Sequence, residues 1–231
     1  MWGVFSSDLL KIKRKLILFL IVLGPLGVIG LEAVNFGLRY DYLSKVYASD
    51  LWSGLLNNVQ ELSIVVMLLG IAIITSLMAT IEHQTNAWKQ VLALPISRTE
   101  VYTAKFLFNG LLLFASCILL AFGSVILGIA LGFGTDVPYT DLLKITFFPF
   151  LAALPFLAVQ IWLAVTFKNQ SIALTFGIVY ALFSSYTRNA PDWLPLKWPL
   201  MMNSFSVITG VVTGLIVLTI TLVDFAKRDV N

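Results

Sequence analysis

The chain has 231 residues, 59% of them hydrophobic and only 12% charged, with a formal net charge of +3. Soluble domains carry about a quarter charged residues. Half that share, together with several apolar runs near 20 residues long, excludes an ordinary soluble enzyme and calls for a helical protein that crosses a membrane repeatedly.

The runs lack the alternation of a membrane β-barrel. The small excess of positive charge belongs to loops and gives no nucleic-acid partner. A basic cluster, Lys11 to Lys15, leads into the first apolar run at about 16–35. That run is too long for a signal-peptide core and lacks a small-x-small cleavage site, so it is expected to be retained as span one. Pro25 with Gly24, Gly27 and Gly30 predicts a kink or close helix packing there.

Residues 36–61 read as a mixed polar connection with Arg39, Asp41, Lys45, Asp50 and Glu61. Tyr40, Tyr42, Tyr47 and Trp52 in it have the character of interfacial aromatics, and part of it is expected to lie along the membrane surface. Span two is predicted at about 60–81, span three at 104–132, span four at 142–167, span five at 171–186 and span six at 204–223. The fourth carries Pro149 and Pro155, and a loop rich in Pro and Trp fills 187–203.

Six spans put both termini on one side. That side then holds Lys11, Lys13, Arg14, Lys15, Lys89, Arg98, Lys105, Lys168, Lys227 and Arg228, ten cations. The other holds Arg39, Lys45, Lys144, Arg188 and Lys197, five. By the positive-inside rule the richer side, with both termini, is cytoplasmic.

No Gly-x-x-x-x-Gly-Lys-[Ser/Thr] loop occurs, so the chain is not expected to bind ATP in that manner or to act as an enzyme by itself. No His-Glu-x-x-His or Cys-x-x-Cys pattern marks a metal site, and no cofactor is expected. Cys117 reads as a small core residue. Glu32 and Glu61 fall near the predicted outer ends of spans, and Lys105 and Asp224 near inner ends. No charge sits at mid-depth, which argues against an ion-coupled carrier. Thr75, Asn109 and Gln160 are polar but uncharged; ordinary cross-helix bonding is their plainer reading, and a substrate path is the functional one.

The densest polar stretch is 82–105, on the cytoplasmic side between spans two and three. Residues 82–94 read as an amphipathic helix with Trp88, Val91 and Leu92 on one face. Pro95 ends it. Ser97 with Glu100 three residues later is a capping box for a new helix that enters span three. A plain amphipathic connector anchored by Trp88 and Lys89 accounts for the same pattern.

The stretch also resembles the one that follows span two in ABC-2 type permeases, on Glu82, Trp88-Lys89, Pro95-Ile96-Ser97-Arg98, Tyr102 and Lys105. The small size and single domain, 1–231, are similar to the bacitracin-resistance and lantibiotic-immunity permeases. The resemblance implies an all-α, six-span, type V exporter-like permease with a cytoplasmic coupling helix in segment 82–98. It implies partner contacts at Glu82, His83, Trp88, Lys89, Pro95, Ser97 and Arg98. The partners would be two separate ATP-binding subunits that hold the ATP, and a second permease copy or a related permease, in the plasma membrane. The implied activity is export of an amphiphile such as an antimicrobial peptide or lipid-like molecule. Trp52, Trp193 and Trp198 on the outer side suit such a cargo, although an ordinary aromatic belt explains them too. A membrane sensor or assembly subunit that binds a soluble partner through 82–98 is the alternative. An intramembrane enzyme lacks the His, Asp or Glu constellation it would need.

Overall fold

A computed structural model describes residues 17–84 and 97–227. The described residues form helices and short connections, with no strand among them. The helices are α1 Ile17–Val46, α2 Leu51–Gln84, α3 Arg98–Ala130, α4 Tyr139–Ala152, α5 Leu154–Thr166, α6 Gln170–Ser185, α7 Trp198–Met201 and α8 Ser204–Lys227. A 3-10 turn occupies Thr187–Asn189. The end of the bundle at which Gln84 and Ser97 lie is called proximal below, and the opposite end distal.

α1, α2, α3 and α8 are each long and apolar enough to cross a membrane, and the bent pair α4–α5 passes as a fifth crossing. α6, with 16 residues, rises about 24 Å, less than the roughly 30 Å hydrocarbon core. It nevertheless runs along α2 from the proximal to the distal end. Ala173 packs beside Ala79, a Cβ at Gly177 would press on Ala72, and Arg188, just past the helix, pairs with Glu61 at 2.8 Å.

The polar connection predicted over 36–61 is mostly helix. α1 continues to Val46 with one non-helical residue, Arg39 (φ −125°, ψ 25°). α2 starts at Leu51, where Asp50 accepts the Ser53 N–H at 3.0 Å as its cap. Charge alone does not stop a helix, because the backbone bonds are made whichever way a side chain points. Of the kink or close helix packing expected near Pro25, the non-helical residue falls at Arg39 and Pro25 is buried inside α1.

Span four is where the predicted boundaries change most. Its helix bends by 43° between Ala152 and Leu154, with Pro149 in the last turn of α4 and Pro155 at the start of α5. A proline removes an N–H from the ladder and crowds the preceding turn, so two of them flanking Ala153 place the break. α8 lies against this corner: a Cβ at Gly210 would sit 2.5 Å from Ala152 Cα and one at Gly214 2.8 Å from Leu154 Cβ. Only glycine lets the two backbones come so close.

The distal core joins Val28 and Phe36 of α1, Trp52 and Leu55 of α2, and Leu120 and Leu127 of α3. Trp52 is a core residue rather than an interfacial one. It is 6% exposed, donates its indole N–H to the Phe133 carbonyl at 3.1 Å, and packs edge-on to the Phe133 ring. Trp198 is likewise buried and donates to the Asp192 carbonyl at 2.9 Å. Of the three tryptophans offered for an amphiphile, only Trp193, at 71%, is exposed.

Candidate coupling site

The proximal end gathers the polar residues that the two cores exclude. Ser97 caps α3 by accepting the Glu100 N–H at 3.2 Å, the geometry its spacing predicts. This fixes where α3 begins, and so aims Arg98, Tyr102 and Lys105 along its first two turns. α2 ends with Glu82 and His83 facing them.

Lys105 Nζ and the Glu82 carboxylate form a buried ion pair, 23 positions apart in sequence. Glu82 is 3% exposed. The sequence resemblance puts Glu82 among the partner contacts; in the structure its carboxylate is buried against Lys105. Burying two charges costs several kcal/mol per ion before their attraction is counted. The pair is thus a feature that simple stabilisation does not explain.

Neighbouring groups tie the same corner to the second half of the chain. His83 Nε2 lies 3.3 Å from the Ala164 carbonyl oxygen of α5, and Gln170 Nε2 donates to that same oxygen at 2.8 Å. Arg98 donates to the Ala226 carbonyl near the end of α8 at 3.3 Å. The Tyr102 ring packs on Phe225 with centroids 5.4 Å apart, and Trp162 donates its indole N–H to Asp224 at 2.8 Å. The helices that enter and leave segment 85–96 are thereby linked to each other and to α5 and α8. Trp88, Lys89 and Pro95 lie outside the described residues; Ser97 is exposed and Arg98 partly so.

Two of the three residues proposed for a substrate path meet here. Thr75 and Asn109 line a small cavity together with Glu82 and Lys105. Thr75 spends its hydroxyl on the Ile71 carbonyl at 2.7 Å. Asn109, 4% exposed, donates to the Lys105 carbonyl at 2.9 Å, and its Oδ1 has no hydrogen-bond partner among the described residues. The space is about 10 Å³, enough for about one water and too small for an amphiphile unless the helices part. Gln160 is elsewhere: it donates to the Ala173 carbonyl at 2.7 Å and ties α5 to α6.

Asp224 and Trp162 escaped the sequence reading as a pair. An indole N–H inside an apolar run needs an acceptor, and Asp224 is the acid that ends the last span on the same side. That was the available signal.

A model of the family described as ABC-2 family transporter protein matches residues 4–184. No curated protein and no solved structure matches the chain. The match reaches from the basic N-terminal segment to residue 184 in α6, and so takes in α2, α3 and α5, which wall the buried ion pair, and leaves out α8. Permeases of this kind normally work with separate ATP-binding subunits and carry no nucleotide-binding motif themselves. A chain of apolar spanning helices that matches the family over most of its length belongs to the ABC-2 family of transporter proteins.

Proposed function

We propose that the chain, 1–231, is the permease subunit of an ATP-driven exporter. It works with two ATP-binding subunits, which hold the ATP, and with a second copy or a related permease. It sits in the plasma membrane with six crossings and both termini in the cytoplasm, and it expels an amphiphile such as an antimicrobial peptide or a lipid-like molecule. Family membership and the ten-to-five split of cations between the two sides support the placement.

The observation that carries the coupling reading is the buried Glu82–Lys105 pair. It joins the helix that enters segment 82–98 to the helix that leaves it. In this reading a closing ATP-binding subunit presses on Trp88, Lys89, Pro95, Ser97 and Arg98. Glu82 and His83, at the end of α2, belong to the same proposed contact region. The pair makes α2 and α3 move as one body, and the His83–Ala164 and Arg98–Ala226 contacts pass the movement to α5 and α8. Coupling passes through elements that have two discrete arrangements, and the corner at Ala153, bent by 43°, is where such an element would hinge.

The test is purification of the tagged chain from its native membrane, followed by ATPase measurement. A P-loop ATPase is expected to copurify, and its turnover is expected to fall when Arg98→Ala is introduced while the complex still assembles. Absence of any ATPase sinks the proposal. Retained binding with no stimulation of turnover by the wild-type chain favours a sensor or assembly subunit instead.

A further inference from the structure

At the distal end a polar basin of about 290 Å³ opens between the start of α2, the start of α4 and Met202. Its chemistry comes from Asp50, Asn57 and Gln60 on one wall and Asp141 and Lys144 on the other. Below it, between α1, α2, α3 and α4, lies a separate apolar cleft of about 50 Å³ walled by Pro25, Val66, Leu113 and Pro149. Ile145 lines both spaces. Ser63, which lines the cleft, lies one turn from Gln60 and donates to its carbonyl at 3.0 Å. The two spaces are therefore stacked along the same pair of helices, polar above and apolar below, with Ile145 common to both.

We infer that this stack is a binding site for a cationic amphiphile, with the head in the basin and the first carbons of the tail passing Ile145 into the cleft. The basin sets two carboxylates, Asp50 and Asp141, against one ammonium, Lys144. Lys144 is already engaged with Asp141 at 3.2 Å. The excess is negative, and the amides of Asn57 and Gln60 offer further oxygens. A quaternary or primary ammonium is favoured there and an anionic head is opposed. The cleft takes only a short stretch of tail: a dry cavity of about 150 Å³ holds a benzene ring, and this one is a third of that. Binding stands without the coupling reading; only the role of the bound molecule as cargo rests on it.

The test uses the full chain in phosphatidylcholine nanodiscs, without any ATPase, so its outcome is independent of coupling. The measurement is equilibrium binding of radiolabelled dodecyltrimethylammonium, with protein-free nanodiscs as the blank. Saturable binding near one per chain is expected, not displaced by dodecyl sulfate. The double variant Asp50→Asn, Asp141→Asn keeps the α2 cap, because asparagine caps as well as aspartate. It is expected to raise the half-saturating concentration about tenfold, each partly exposed charge contributing about threefold. Ile145→Trp, which fills the passage, is expected to abolish the gain of the dodecyl compound over tetramethylammonium. Uptake no greater than the blank overturns the site. So does equal displacement by dodecyl sulfate, or an affinity unchanged in the double asparagine variant.

Discussion

Glu82 and Lys105 show how differently one residue is read from sequence and from structure. In sequence they are two charges at either edge of a polar stretch, each next to an apolar run. In space they are each other's partner, because α2 and α3 are antiparallel neighbours. Pairing over 23 positions leaves no local pattern. Ser97 was legible for the opposite reason: its cap bond spans three residues, and the backbone alone dictates it. Removing one member of a buried pair strands the other charge, at a cost of about 3–5 kcal/mol. Glu82→Met and Lys105→Met are each expected to lower stability by that order. The double variant Glu82→Met, Lys105→Met is expected to cost clearly less than the two summed. Thermal unfolding of the four proteins in one detergent closes the cycle, and additivity within about 0.5 kcal/mol would mean that the pair is not coupled.

Helix existence was easy to read and helix ends were not. Apolar runs marked α1, α2, α3 and α8, yet residues 36–61 read as a connection because they carry charges and aromatics, and most of them are helical. The break at Ala153 was only hinted at. Pro149 and Pro155 were visible, but what makes the corner tolerable is α8, whose Gly210 and Gly214 admit the bent backbone. Such a contact between elements about 60 residues apart has no signature in the residues themselves. Gly210→Ala gains helix propensity of about 1 kcal/mol but places a carbon 2.5 Å from Ala152 Cα. A net loss of about 1–3 kcal/mol is expected from the overpacking. Gly30→Ala in α1, where an added Cβ meets nothing within 4 Å, is expected to be neutral or to stabilise by up to about 1 kcal/mol. Comparison of the two unfolding temperatures checks the assignment; equal shifts would show that α8 does not seat on the corner.

For the whole molecule the open quantity is the number of crossings. Composition alone gave six spans, and length and hydropathy of the described helices support four, or five with the bent pair. α6 decides the sixth. Lys168 precedes it and Trp193 follows it, and both are exposed. In a Cys117→Ala background, a cysteine at 193 is expected to react with an impermeant maleimide added to intact cells. One at 168 is expected to react only after permeabilisation. Labelling of both from the same face would remove the sixth crossing and reverse the side assigned to the C-terminus.

The Ala164 carbonyl gives the proximal contacts an order of release. A carbonyl oxygen has two lone pairs, and this one faces both His83 and Gln170. If His83 withdraws, Gln170 still satisfies the oxygen, so no buried acceptor is stranded and the step costs little beyond one hydrogen bond of about 1 kcal/mol. Parting Glu82 from Lys105 instead breaks a buried contact between two charged groups, about twice as strong as a neutral hydrogen bond. Of these two contacts, the one between α2 and α5 is the weaker.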